Sequence, residues 1–256
     1  MKYEYHYLFG LDIPLNDYGL GVIKQPKLID YISKGIDIET FYLPFVMNEI
    51  ILSQSELEQR DEINKLKDRI GSLDFMIINC YQSKRFDVID SLIQALKLLY
   101  NNDNIKITES LNLLVDNIEI NNSNFDILVN VVLEMMKVDK SKLKFDKPKK
   151  KEMSELEKEM ERRRQKYLEM TNNKKKDEPL TLADLSNIVI HSGLFKYEDV
   201  LNMTVYQLKN SFDVLNKKEA FDINMLHRVS PKFDMSKEKY EHWTEKIKLD
   251  KSTLSK

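Results

Sequence analysis

The chain has 256 residues, with 40 Lys and Arg against 42 Asp and Glu and a net charge of −2. This length is sufficient for one large domain or two modest domains with hydrophobic cores, and the scarcity of turn residues (six Gly and six Pro) excludes a loop-rich all-β protein. A single cysteine, Cys80, excludes an internal disulfide and indicates a reducing cytoplasm. The N-terminus lacks the apolar core of a signal peptide, and no apolar run reaches the roughly 18 to 20 residues that a membrane-spanning helix needs.

The nearly neutral total conceals three segments of different charge. Residues 1–136 hold 12 basic and 21 acidic side chains (−9), residues 137–178 hold 16 and 10 (+6), and residues 179–256 hold 12 and 11 (+1). We therefore predict an acidic N-terminal domain at 1–136, a basic charged linker at 137–178 and a small C-terminal domain at 179–256.

The first 52 residues predict a mixture of strands and helices. Tyr3, Tyr5 and Tyr7 alternate with other residues at the period of a strand, followed by turn residues and a second short strand at 21–26 that ends at Pro26. Residues 28–34 predict a short helix that ends at Gly35, and residues 40–52 predict a longer one.

The remainder of the N-terminal domain is mainly helical by its apolar spacing. We predict a charged surface helix at 55–69 and buried helices at 73–81 and 86–100. Ile105 with Ile107 and Ile118 with Ile120 indicate short strands on either side of a turn or helix at 110–115. Residues 123–126 then begin the last helix of this domain.

The linker contains few large apolar residues and several basic runs. Its composition cannot bury enough surface to offset the entropy of ordering the chain, so we expect it to be extended or a solvated helix at 153–170. Basic tracts also bind nucleic acid by releasing counterions. However, glutamates are interleaved throughout 152–161 and few aromatic side chains, among them Tyr167, are available to stack on a base, which favours a linker over a nucleic-acid tract.

The C-terminal domain has the clearest helix signals. Thr181 with Asp184 and Thr204 with Gln207 each resemble a capping box, which predicts one helix at about 182–192, before Gly193, and a second that runs from 205 to about Arg228. Ser236 is placed to begin a last short helix with Tyr240, Trp243 and Ile247 on one face. The aromatic residues of this domain are either core or a binding surface.

No motif for catalysis, metal binding or cofactor binding is present in the sequence. The four histidines are scattered, and neither the spacing of metal ligands nor a phosphate-binding glycine loop nor a nucleophile signature occurs. We therefore predict no catalytic, cofactor-binding or metal-binding residues, no cofactor and no enzymatic activity.

Three stretches together resemble tail assembly chaperones of tailed bacteriophages that infect Gram-positive bacteria. They are Gly21-Val22-Ile23-Lys24-Gln25-Pro26-Lys27-Leu28-Ile29-Asp30-Tyr31-Ile32, Asn202-Met203-Thr204-Val205-Tyr206-Gln207-Leu208 and Glu241-His242-Trp243-Thr244-Glu245-Lys246-Ile247. The basic linker between the first and second stretches adds to the likeness. Such proteins pair an N-terminal domain that binds the tape-measure protein with a C-terminal domain that recruits tail-tube subunits, and the second domain is often reached only by translational frameshift.

The resemblance implies a non-enzymatic chaperone of tail morphogenesis in the host cell cytoplasm, absent from the mature virion. Tape-measure and tail-tube proteins are its implied partners, and self-association and a shorter frameshift product stay open. The residues we assign to partner binding are Tyr206, Gln207, Leu208 and Trp243.

The alternatives are a nucleic-acid-associated phage protein that uses the basic linker, a generic two-domain adaptor, or an enzyme of a fold not recognised from sequence. The expected fold class is α+β, mostly helical, with a mixed N-terminal domain and an all-α C-terminal domain.

Overall fold

The structure, a computed structural model, describes residues 3–38, 40–55, 57–139, 180–230 and 242–246. It is mostly helical with two small antiparallel sheets, which confirms the predicted fold class. The helices of residues 3–139 are α1 Glu4–Phe9, α2 Leu28–Lys34, α3 Met47–Gln54, α4 Leu57–Ile70, α5 Ser72–Gln82, α6 Phe86–Tyr100 and α7 Phe125–Met135. Those that follow are α8 Leu182–His191, α9 Tyr197–Leu201 and α10 Val205–Val229.

The two sheets are short and lie in the N-terminal half. Strands β1 (Ile13–Pro14) and β2 (Val22–Ile23) form a two-stranded pair. Strands β3 (Ile105–Ile107), β4 (Leu113–Val115) and β5 (Ile118–Ile120) form a three-stranded meander in sequence order. Short 3₁₀ turns cover Asn16–Tyr18, Leu43–Val46 and Trp243–Lys246.

Several predicted elements are confirmed at their ends. Helix α2 ends at Lys34 with Gly35 in the left-handed conformation (φ 65°), and α6 has the predicted bounds. The hydroxyl of Thr181 accepts from the Asp184 N–H at the start of α8, and Thr204 makes the corresponding bond with the Gln207 N–H at the start of α10. Both predicted capping boxes therefore form.

Three predictions for the N-terminal half need correction. Residues 3–7 are not a strand, because Tyr3 precedes helix α1 and residues 4–7 form its first part; the helix buries Tyr7 and ends before Gly10 (φ 65°). Residues 110–115 form a turn and strand β4, since the alternate residues Leu113 and Val115 both face the core. The helix predicted at 40–52 begins with the 3₁₀ turn and becomes α-helical only at Met47.

The C-terminal predictions are tested only in part. Helix α10 runs to Val229, and Ser230, which precedes a proline, is extended (ψ 126°). The helix predicted to begin at Ser236 lies outside the described residues, apart from 242–246. Most of the linker, residues 140–179, is also outside them, so the predicted domain division stays a prediction.

Buried side chains from both parts of the chain form one hydrophobic cluster. Tyr7, Tyr31 and Phe125 contribute from the N-terminal part, and Val189, Val205, Tyr206 and Leu208 contribute from the C-terminal part. None of the helices in the described ranges combines the length and the apolar composition needed to cross a membrane.

Candidate partner-binding site

The residues that the sequence assigns to partner binding lie mostly where the C-terminal part packs on the N-terminal part. We call residues 181–215 the docking segment. We call the surface beneath it the seat, which is formed by α1, the N-terminal end of α2 and the C-terminal end of α7. The contacts between the docking segment and the seat involve both backbone and side chains.

The backbone contact joins the start of α10 to the start of α2. Lys27 and Thr204 form an isolated antiparallel bridge, and the Leu28 N–H donates to the Met203 carbonyl oxygen over 2.9 Å. Because the N–H groups at the start of a helix have no partner within that helix, this contact also satisfies one of the free donors of α2.

Gln207 links the cap of α10 to the end of α1. Its Oε1 accepts from the Thr204 N–H at 2.9 Å, and its Nε2 donates to the Leu8 carbonyl oxygen at 3.1 Å. Gly10 is the first residue after α1. Its α-carbon lies so close to the Gln207 side chain that an added methyl group would be 3.2 Å from Gln207 Nε2. A single amide thus caps one helix and binds the carbonyl end of another.

Tyr206 fills the apolar centre of the junction. Its ring stacks on Tyr7 of α1 with centroids 5.5 Å apart, and Lys137 Nζ lies 5.3 Å from its centroid. Tyr206 is 3% exposed and Leu208 is fully buried. Both side chains therefore belong to the core within this chain, which is the alternative left open by the sequence.

Two lysines join α10 to the C-terminal end of α7. Lys137 Nζ lies 2.7 Å from Asp213 Oδ2, and Lys209 Nζ donates to the Met136 carbonyl oxygen at 2.9 Å. Positive charge is favourable at this position, because the unpaired carbonyl groups at the end of a helix carry partial negative charge.

Two ionisable groups at the junction are affected by burial. Burial raises the pKa of the Tyr7 hydroxyl above its ordinary value, and the nearby Glu134 carboxylate acts in the same direction. Burial also raises the pKa of Glu134 itself, an effect that the Tyr7 hydroxyl partly opposes. The seat thus favours the neutral forms of both groups.

Trp243 is not part of this junction. It begins the 3₁₀ turn Trp243–Lys246 and is half-buried, beside His242, whose ring lies 4.9 Å from that of Phe221 in α10. Phe221 is 15 residues after Tyr206, which corresponds to about 22 Å along a helix. The structure brings Tyr206, Gln207 and Leu208 together but places Trp243 near the other end of α10.

An exposed aromatic surface beside the junction includes Tyr5, which the sequence pattern alone predicts to lie in a strand. Tyr5 and Phe9 of α1 stack on each other (6.4 Å) on the face opposite Tyr7, and they are 72% and 63% exposed. Their spacing of four residues, followed by a glycine, was the sequence signal for an amphipathic helix with one buried and one exposed aromatic face.

The described residues contain no group of three or more His, Cys, Asp or Glu side chains placed to hold a metal ion.

A known protein family matches the C-terminal part of the chain. Residues 173–248 match the family model of the YomV second domain, a phage-associated family, which indicates a phage protein. The match covers less than a third of the chain and includes the docking segment and Trp243. Neither the curated proteins nor the solved structures include a match to the chain.

Proposed function

We propose that this protein is a non-enzymatic tail assembly chaperone of a bacteriophage, which binds the tape-measure protein and recruits tail-tube subunits in the host cell cytoplasm. The observation that carries the proposal is the match of residues 173–248 to a phage-associated family. Two of the three stretches that resemble tail assembly chaperones, 202–208 and 241–247, lie within those residues.

The charge and surface of the N-terminal part support a role in protein binding. Residues 1–136 carry a net charge of −9, which favours a basic partner and disfavours nucleic acid. Exposed aromatic side chains are common anchors of protein interfaces, and Tyr5 and Phe9 form a stacked, exposed aromatic pair on α1, the helix whose Tyr7 packs on the docking segment. We assign this pair to the tape-measure partner, because the resemblance gives that partner to the N-terminal domain.

The experiment is affinity purification of the tagged full-length chain from phage-producing cells, followed by mass spectrometry. Recovery of tape-measure and tail-tube proteins supports the proposal. Recovery of DNA that is lost as salt is raised, with neither tail protein present, would favour the nucleic-acid alternative.

A matched pair of variants tests the surface. The double substitution Tyr5→Ser and Phe9→Ser should reduce recovery of the tape-measure protein by about tenfold or more, since truncating a central aromatic anchor costs about 2 kcal/mol. The control is Tyr81→Ser with Phe86→Ser, because these two rings also contact each other (5.5 Å) and are about half exposed, at 48% and 49%. Equal losses in both variants would contradict the assignment of Tyr5 and Phe9.

A further inference from the structure

The docking segment and the seat are held together by noncovalent contacts. Residues 140–179 join the two, and a chain of 40 residues spans at most about 140 Å. That length is sufficient to reach the seat of a neighbouring molecule as well as the seat of the same molecule.

A second copy presents the same complementary surface. The bonds of Gln207 to Leu8, Lys209 to Met136 and Lys137 to Asp213 each have one partner in the docking segment and one in the seat. The same is true of the Tyr7 and Tyr206 stack and of the bridge between Lys27 and Thr204. Docking between copies therefore makes the same contacts as docking within one copy, and the local concentration of each decides which forms.

We propose that the seat is also a binding site for the docking segment of a second copy of this chain. Reciprocal exchange gives a closed dimer, whereas successive one-way exchange gives an open series of linked copies. Crowding of copies on a shared partner raises the concentration of neighbouring seats and favours exchange. This proposal concerns self-association and does not rest on the identity of the tail proteins.

Charge reversal at Lys137 and Asp213 tests the proposal. In a chain with Lys137→Asp, residues 137 and 213 are both acidic, and in a chain with Asp213→Lys both are basic, so each variant repels its own docking segment. In an exchanged pair of the two variants, both junctions carry opposite charges. Residue 137 has positive φ (48°), a conformation that Asp adopts more readily than most residues.

Native mass spectrometry should find about ten times more dimer in the mixture than in either variant alone, because two repulsive junctions become attractive together. The matched control carries both substitutions in one chain, which restores opposite charges within each copy, and it should form no more dimer than the native chain. A mixture that stays monomeric while the control is folded would overturn the proposal.

Cysteine pairing provides a second measurement with smaller changes to the surface. Lys27 and Thr204 lie opposite each other, and the neighbouring hydrogen bond runs from the Leu28 N–H to the Met203 carbonyl oxygen. Lys27 and Thr204 are therefore a non-hydrogen-bonded pair of an antiparallel ladder. The α-carbons of such pairs are about 4.5 Å apart, which is within disulfide range. Chains with Lys27→Cys and chains with Thr204→Cys are mixed and oxidised, and exchange predicts a disulfide-linked heterodimer.

The cysteine experiment has two controls. The native Cys80 is fully buried and is kept, so the unmodified chain should form no linked dimer. Ser33→Cys places a cysteine at an exposed position of the same helix α2, and with the Thr204→Cys chain it measures chance collision. Linkage through residues 27 and 204 at or below that background would also overturn the proposal.

Discussion

At the scale of single residues, Gln207 uses both ends of its side-chain amide at the junction. The oxygen accepts from the Thr204 N–H at the start of α10, and the nitrogen donates to the Leu8 carbonyl oxygen at the end of α1. A glutamine or glutamate at this position completes a capping box, but only glutamine can also donate a hydrogen bond. The residue type was therefore recognisable as a cap in the sequence, whereas its second bond was not.

Substitution Gln207→Glu separates these two roles. The carboxylate still caps α10, but it cannot donate to Leu8 and it repels the carbonyl oxygen, so we expect a loss of about 1 kcal/mol in the free energy of unfolding. Urea unfolding measures the loss, with Gln94→Glu at an exposed position of α6 as the control, where the change should stay within about 0.5 kcal/mol. Equal stability of the two variants would show that the bond to Leu8 contributes nothing.

Glu134 should make stability depend on pH. Burial raises the pKa of Glu134 in the folded protein, so the folded state binds this proton more tightly than the unfolded state does. The contribution of Glu134 to stability is therefore greatest below its unfolded pKa, near 4.3, and is lost as the pH rises through the folded pKa.

The substitution Glu134→Gln removes the ionisation. We expect the variant to gain stability relative to the native chain as the pH is raised above about 4, the ordinary range of a glutamate, because ionising the half-buried native carboxyl costs free energy. Urea unfolding at several pH values measures this difference, and Glu198→Gln on the exposed surface of α9 is the control. A difference that stays constant with pH would contradict the effect of burial.

At the scale of elements, the sequence predicted helices better where their ends carried distinct residues. Gly35 ended α2, and Thr181 and Thr204 began α8 and α10, each at the expected position. Helix α1 was misassigned because six residues are too few to separate the two periods: Tyr3, Tyr5 and Tyr7 fit alternation, while Tyr5 and Phe9 fit a helical spacing of four. Tertiary packing of Tyr7 against Tyr206 accompanies the helical form.

Gly10, at the end of α1, packs closely against the docking segment, and its replacement tests how much that close contact matters. Both Gly10 (φ 65°) and Gly19 (φ 70°) have left-handed backbones, so alanine costs about 1 kcal/mol at either position. Only at Gly10 would the methyl group press on Gln207 and Thr204, at 3.2 and 3.3 Å, whereas at Gly19 it would meet nothing within 4 Å.

We therefore expect Gly10→Ala to lower the free energy of unfolding by roughly 1 kcal/mol more than Gly19→Ala does. Hydrogen exchange gives the local readout, with faster exchange at residues 205–208 in the Gly10 variant alone. Unchanged exchange there, together with equal losses of stability, would show that the close approach is accommodated without loosening the docking segment.

At the scale of the whole molecule, the sequence predicted an N-terminal and a C-terminal folded part joined by a charged linker. It did not predict that these two folded parts share one hydrophobic core. The bond from Gln207 to Leu8 joins residues 199 positions apart, and no local pattern records such a pairing. The apolar residues 205, 206 and 208 were recognisable as a buried or binding face, yet their partner surface on α1 and α7 appears only in three dimensions. The predicted binding residues Tyr206 and Leu208 are thus occupied within the chain, and a partner would have to displace the docking segment to reach them.

Limited proteolysis tests both the predicted division and the docking. The charged composition of residues 137–178 predicts cleavage there, giving two resistant fragments. Because the stack of Tyr7 on Tyr206 and the pair of Lys137 with Asp213 join the two sides, we expect the fragments to elute together in gel filtration after a cut beyond Lys137. A chain that resists cleavage in this region would contradict the division into domains. Fragments that separate at once would instead show that docking needs the covalent connection, since without it the local concentration of the docking segment falls to that of the free fragment.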